Sequence, residues 1–282
     1  MRPWTPLLLA VSASQKVRPL HWVIRSSSLQ RTLDFTQNVL GMQVLRHEEN
    51  EEACPITCNG NFSTSWSKTM VGYGPEDEHF ALELTYNYGV ASYSLGEGLQ
   101  RFVVEVPNPH LALAWAERLG YKAELMQKGE SEIVGPDGYR FEIRGASTQS
   151  AFHSVVLRSV NPELVAAWYE EMLGFTRTES NETGLALRVR NQSFQYIFER
   201  ADSPPRLTEW DGRNAVALPE SHVRGVYEWL RQESPMSIVH DLRELPDKLG
   251  TLLIAIVKDP GGFELCLVSA ETFDPSLQLA MS

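Results

Sequence analysis

The sequence predicts an α+β fold of four βαβββ modules, arranged as two pairs with cup-shaped sheets. Three observations predict it. A Leu-Gly-apolar tripeptide recurs as Leu40-Gly41-Met42, Leu119-Gly120-Tyr121 and Leu173-Gly174-Phe175, each time closing a helical pattern. A β-rich segment precedes each helix, and turn signals separate further strand-like segments after it.

The first strand is expected at Leu20 to Ile24, followed by a helix that starts at Ser28 and carries Leu29, Leu33, Thr36 and Leu40 on one stripe. The second module repeats this with Phe102 to Val106, a start at Asn108-Pro109 and a stripe of Leu111, Trp115 and Leu119. The third has Ser154 to Leu157, then Asn161-Pro162 and the stripe Leu164, Trp168 and Met172. In each, the glycine supplies a left-handed C-cap. Hairpin turns are expected at Gly74-Pro75-Glu76-Asp77, Gly135-Pro136-Asp137-Gly138 and Asp259-Pro260-Gly261-Gly262. A fourth copy lacks the Leu-Gly but keeps a strand at Asn214 to Leu218, a helix at Glu220 to Leu230, and strands at Thr251 to Val257 and Phe263 to Val268.

The modules fall near residues 18–92, 98–145, 151–202 and 210–270. They are expected to pair as 18–146 and 151–270 across the polar stretch Gly145 to Ser150, with an N-terminal extension at 1–17 and a C-terminal tail at 271–282. The net charge of -11 repels nucleic acid and anionic membranes, and the run Leu7 to Val11 is too short to span a bilayer. Neither nucleic acid nor a membrane is an expected partner; the ligand expected is a small molecule, and the chain is expected to be a monomer or weak homodimer. Three cysteines cannot close a disulfide framework, and Cys54 and Cys58 are expected to be inert in a reducing compartment. The first 33 residues hold Arg2, Lys16, Arg18, Arg25 and Arg31 but no acidic residue, the bias of an organelle transit segment. The folded part is expected to begin near Leu20, which leaves only a short presequence, so a cytoplasmic location is expected, with the mitochondrion as the alternative.

The segment Ala81-Leu82-Glu83-Leu84-Thr85-Tyr86-Asn87-Tyr88-Gly89, with Val44 to Glu49 and Ser65 to Met70, resembles the vicinal oxygen chelate (glyoxalase/bleomycin resistance/dioxygenase) superfamily. The resemblance implies two glyoxalase-like domains, each cup holding one divalent ion between first- and last-strand residues of its two modules. It implies His21, Glu83 and Glu142 as metal ligands, with Glu142 or Glu83 as the base that moves a proton between adjacent carbons. Zinc, nickel, manganese and iron(II) all suit such ligands, and glutathione is the implied co-substrate. Arg101 occupies the fourth corner, where a guanidinium opposes metal and leaves it weakly held or absent. The second cup reads Ser154, Tyr196, Arg213 and Cys266 and is degenerate; His153 is out of register and Glu264 lies nearby.

Some members of the superfamily exchange modules between halves, in which case His21 and Glu83 would face Arg213 and Cys266. Both pairings stay open at this point. The reading favoured is a small-molecule or partner-binding protein without robust glyoxalase activity. The alternative is a metal-dependent lactoylglutathione-lyase-like lyase or isomerase acting on a small carbonyl or its thiol adduct. An extradiol dioxygenase would need a second in-register His that the sequence lacks. His47, Glu48 and Glu49 read as a solvated loop, Trp66, Lys68 and Thr69 as a half-buried strand, and Tyr86, Asn87 and Tyr88 as candidates for the cup mouth.

Overall fold

The computed structural model describes residues 17–125, 130–190, 192–247 and 250–274. Of the extension expected over 1–17 only residue 17, and of the tail expected over 271–282 only residues 271–274, are among the described residues. Four βαβββ modules follow in order. The first is β1 (Arg18–Ser26), α1 (Leu29–Asp34) running into a wider turn at Phe35–Val39, β2 (Gln43–Asn50), β3 (Trp66–Gly72) and β4 (Ala81–Asn87). The second is β5 (Leu99–Val106), α2 (Pro109–Arg118), β6 (Lys122–Leu125), β7 (Ser131–Val134) and β8 (Arg140–Gly145). The third is β9 (Ala151–Ser159), α3 (Pro162–Leu173), β10 (Thr176–Asn181), β11 (Gly184–Arg188) and β12 (Gln195–Arg200). The fourth is β13 (Arg213–Leu218), α4 (Glu220–Glu233), β14 (Ile238–Asp247), β15 (Gly250–Lys258) and β16 (Glu264–Ser269).

The local signals act as expected. Asn108 and Asn161 each cap a helix by accepting from the amide three residues on, and Ser28 does the same more weakly. The repeated Leu-Gly glycines leave their helices with φ of +71° at Gly41, +80° at Gly120 and +69° at Gly174. The stripes differ in part: Leu164 of α3 is exposed, and α2 buries Ala112 and Ala116 while Leu111 is 54% exposed. Small residues suit this face because α2 packs closely against the wide turn of the first module.

The strands form two eight-stranded sheets. Sheet one has the order β14-β15-β16-β13-β1-β4-β3-β2, and sheet two β10-β11-β12-β9-β5-β8-β7-β6. Module one therefore pairs with module four, through antiparallel β1 and β13, and module two with module three, through β5 and β9. This corrects the pairing expected over 18–146 and 151–270. The physical reason lies in the connectors. Crossing from β8 over β5 to β9 spans two strand spacings, roughly 10 Å, which the short segment 146–150 covers easily. The longer segments 88–98 and 201–212 carry the chain from one sheet to the other.

Each sheet turns one face to a shared core. Trp22, Ile24, Leu82 and Leu84 of sheet one meet Phe102, Val104, Phe141 and Ile143 of sheet two there. Trp22 and Phe102 touch edge to face at 6.4 Å. By strand alternation the opposite faces carry His21 and Glu83 in one sheet and Arg101 and Glu142 in the other.

Candidate functional site

β1 lies at the centre of sheet one and is buried along its whole length, so every polar side chain on it needs a partner. His21, Val23 and Arg25 alternate onto the open face. The parallel partner β4 places Glu83 and Thr85 beside them, and the antiparallel β13 places Arg213 and Ala215 on the other side. Glu264 and Cys266 of β16 register against Arg213 and Ala215. Of the expected residues, sheet one thus gathers His21, Glu83, Arg213 and Cys266. Glu142 and Arg101 belong to sheet two, so the three expected ligands do not meet.

His21 Nε2 lies 3.3 Å from Glu83 Oε2, and Thr85 Oγ1 donates to Glu83 Oε1 at 3.1 Å. Burial pushes the Glu83 carboxyl up, but the His21 hydrogen bond and the charges of His21, Lys68 and Arg46 outweigh it and hold the pKa at about 2. The remaining corners do not complete a metal site. Arg213 is ion-paired to Glu264 at 2.7 Å and cannot coordinate. Burial raises the Cys266 thiol to about 11. Among the described residues no group of three or more His, Cys, Asp and Glu is disposed to hold an ion. The donor set does not fit a divalent metal.

In sheet two, Glu142 is buried between two guanidiniums: Arg101 Nε at 2.8 Å and Arg144 at 2.6 Å. Burial opposes its charge, but these two arginines hold its pKa below the usual range. Arg101 also reaches Glu199 at 2.9 Å. Ser154 shares this face, half-buried His153 lying 3.1 Å from its hydroxyl. Tyr196 does not. It registers with Val155, faces the core and donates to Asn214 Oδ1 at 2.8 Å. It sits one residue out of register, and Gln195 and Ile197 hold the outward positions of β12.

Other expectations sort similarly. His47, Glu48 and Glu49 lie on β2 rather than in a loop, His47 pairing with Thr69 at 2.8 Å. Trp66, Lys68 and Thr69 lie on β3, where Lys68 pairs with Glu48 at 2.9 Å. Tyr88 is exposed and donates to Glu49, whereas Asn87 is fully buried and bonds to Asn59. Cys54 and Cys58, expected to be inert thiols, are disulfide-bonded to each other.

Sequence reasoning missed Arg25, although it stands four residues after His21 and so on the same strand face. Arg25 is 4% exposed and has no acidic partner among the described residues. Its Nη1 donates to the Cys58 carbonyl, its guanidinium sits 5.8 Å from the Trp210 ring, and its buried Nε has no partner. Burial, with the charge of Arg213, pulls its pKa down against the opposing influence of Tyr139 and Glu83. A cavity of about 470 Å³ opens beside it, lined by Arg25, Thr57, Asn61, Arg213, His240 and Glu264 among others. Gly212 matters here. Its φ is +95°, and a Cβ would lie 2.2 Å from the Val23 carbonyl, so only glycine lets segment 201–212 cross β1 into β13.

Comparison with known proteins agrees with this architecture. The sequence model of the Glyoxalase/Bleomycin resistance protein/Dioxygenase superfamily matches residues 18–143 and 151–267. Glyoxalase domain-containing protein 4 of Rattus norvegicus is 34% identical over 91% of the chain and 86% of its own length. Glyoxalase 1 of Caenorhabditis elegans is 32% identical over 91% and 89%. The crystal structure of glyoxalase I from Zea mays aligns with a TM-score of 0.74 at 22% identity, covering 94% of this chain and 97% of that one, which shows a shared fold.

Proposed function

We propose that this chain, which belongs to the Glyoxalase/Bleomycin resistance protein/Dioxygenase superfamily, binds a small carboxylate-bearing molecule in the cup of sheet one and has no robust lactoylglutathione lyase activity. The observation that carries this reading is Arg25: a buried guanidinium beside a cavity, with an unpartnered Nε and, among the described residues, no carboxylate ion-paired to it, although Glu209 and Glu264 line the cavity. A buried cation of this kind is costly without a counter-charge. A ligand carboxylate against Arg25 would accept from Nε and supply that charge. Arg213 and His240 line the same cavity and would orient the rest of the molecule. Among the described residues no helix is long and apolar enough to cross a membrane. A monomer in the cytosol, with the mitochondrion as the alternative, completes the reading.

S-Methylglutathione, which carries two carboxylates and no free thiol, tests it. Calorimetric titration in the presence of excess dithiothreitol is expected to show binding to the wild-type chain and none to Arg25→Met. Equal binding by both would overturn the role of Arg25.

One observation favours a second reading, a metal-dependent lyase or isomerase that uses glutathione adducts: His21 and Glu83 are buried and adjacent on neighbouring strands. Only these two donors meet, which is why it ranks second. Stoichiometric zinc or nickel in the purified chain, with lactoylglutathione formation from methylglyoxal and glutathione, would establish it over the first.

A further inference from the structure

Residues 51–65 join β2 to β3 as an irregular segment that reaches the open face of sheet one, where Ile56 packs with Leu20, Ala215 and Ile256. Within it, the bond between Cys54 and Cys58 closes a small ring around Pro55, Ile56 and Thr57, and both cysteines are partly exposed. The ring aims its oxygens at the cavity's cations. The Ile56 carbonyl accepts from Arg213 Nη1 at 2.8 Å, and the Cys58 carbonyl accepts from Arg25 Nη1. Thr57 Oγ1 accepts from Arg213 Nη2 at 3.1 Å and lies 2.9 Å from His240 Nε2. These are the donors that a ligand carboxylate would use.

The ring also holds an unfavourable conformation. Thr57 has a φ of +54°, a left-handed position that a β-branched residue adopts rarely. Its amide donates to the Cys54 carbonyl at 2.9 Å, a turn inside the ring. Asn59 Nδ2 donates to Asn87 Oδ1 and to the Phe62 carbonyl, both at 3.2 Å, and its Oδ1 accepts from the Cys54 amide at 3.1 Å. The Cys54–Cys58 bond holds the oxygens of Ile56, Thr57 and Cys58 against the arginines, while Ile56 and Asn59 keep the segment on the sheet.

We propose that Cys54 and Cys58 form a dithiol–disulfide site whose oxidised ring caps the ligand cavity and whose reduction uncovers Arg25 and Arg213. The inference rests on the reading of that cavity as a ligand site. The reductant is an external dithiol. Its thiolate attacks one sulfur of the pair and breaks the Cys54–Cys58 bond, giving a mixed disulfide; its second thiol then displaces the protein sulfur. Two electrons pass to the protein, the two thiol protons end on Cys54 and Cys58, and the dithiol leaves as a cyclic disulfide. A disulfide oxidant such as glutathione disulfide reverses the sequence. Once open, the chain around Thr57 regains backbone freedom and the three acceptors leave the two arginines.

The test is the rate at which phenylglyoxal modifies individual arginines in the full chain, read by peptide mass spectrometry. It compares the oxidised wild type with Cys54→Ser/Cys58→Ser. Arg25 and Arg213 are expected to react on the order of tenfold faster in the variant, as the loss of hydrogen bonds to charged groups implies. Arg231, on the solvent face of α4, is the internal reference and should not change. Wild-type protein reduced with dithiothreitol and desalted under argon repeats the comparison without depending on the variant's folding, and the same rise is expected. Equal rates in the oxidised and reduced wild type would overturn the proposal. So would a pair that stays as two thiols at every glutathione disulfide ratio. Phenylglyoxal modification requires no natural ligand, so equal rates would leave the carboxylate reading to its own titration.

Discussion

The two cups start from the same module plan and place an arginine at the same first-strand position, Arg213 in sheet one and Arg101 in sheet two, yet they differ in what surrounds it. In sheet two the charges satisfy one another: Glu142 bridges Arg101 and Arg144, and Arg101 also holds Glu199. In sheet one Arg213 is ion-paired to Glu264, whereas Arg25, next to a cavity, has a carbonyl oxygen and an aromatic face but no ion pair among the described residues. The difference teaches how a superfamily scaffold can hold an arginine where the resemblance implies a metal ligand and reach two outcomes. One cup becomes a closed structural network. The other keeps a positive charge that an outside molecule can neutralise.

The largest effect that would sharpen this contrast is expected at Glu142. Its carboxylate is 3% exposed between guanidiniums that are 24% and 30% exposed, so removing it strands two partly buried cations. Breaking a buried pair costs about 3–5 kcal/mol, and the partial exposure of the arginines brings Glu142→Ala toward about 3 kcal/mol. Urea unfolding measures it, with no expected change in binding of S-methylglutathione to sheet one. A loss of that binding would break the claim that the cups act separately.

Glu83 contributes through pH. Its folded pKa of about 2 lies below an unfolded value near 4.5, so its stabilisation is fully present above pH 4.5 and is lost as the pH falls through 2. The shift corresponds to about 3 kcal/mol at most. Glu83→Gln should flatten the acid limb of the stability curve between those values. An unchanged acid limb would mean that His21 and the neighbouring cations do not hold the carboxylate as described.

Arg101→Met is expected to cost less, about 1–2 kcal/mol, because Glu142 keeps Arg144 and Glu199 is partly solvated. The same unfolding measurement checks it. A cost above that of Glu142→Ala would reverse the view that the carboxylate, not Arg101, is the hub of the sheet-two network.

Much of this was legible before any coordinates. The Leu-Gly repeats marked three of four helix ends because a left-handed cap is a local requirement that Gly41, Gly120 and Gly174 meet without tertiary help. Module pairing was not legible from the strands, since β1, β5, β9 and β13 all offer the same kind of edge. The clue lay in connector length, the short 146–150 joining neighbours within one sheet. Tyr196 was placed on the wrong face because one residue of slip before β12 inverts every side chain. Arg25 was within reach of simple alternation from His21. Its importance was not, because a missing counter-charge is a property of the whole cup.

The smallest stability effect expected separates the cups most sharply. Arg25→Met removes a buried cation that has no ion pair among the described residues, and replacing such a group by an apolar side chain of similar length tends to be neutral or stabilising. The lost hydrogen bond to the Cys58 carbonyl works the other way, by about 1 kcal/mol, so the net change should lie within about 1 kcal/mol of zero. Ligand binding should nevertheless disappear. A group held in the fold at no benefit to stability, whose loss removes binding, is what a recognition residue requires. If Arg25→Met instead destabilises by as much as Glu142→Ala, then Arg25 is a structural cation like Arg101, and the two cups have followed one course rather than two.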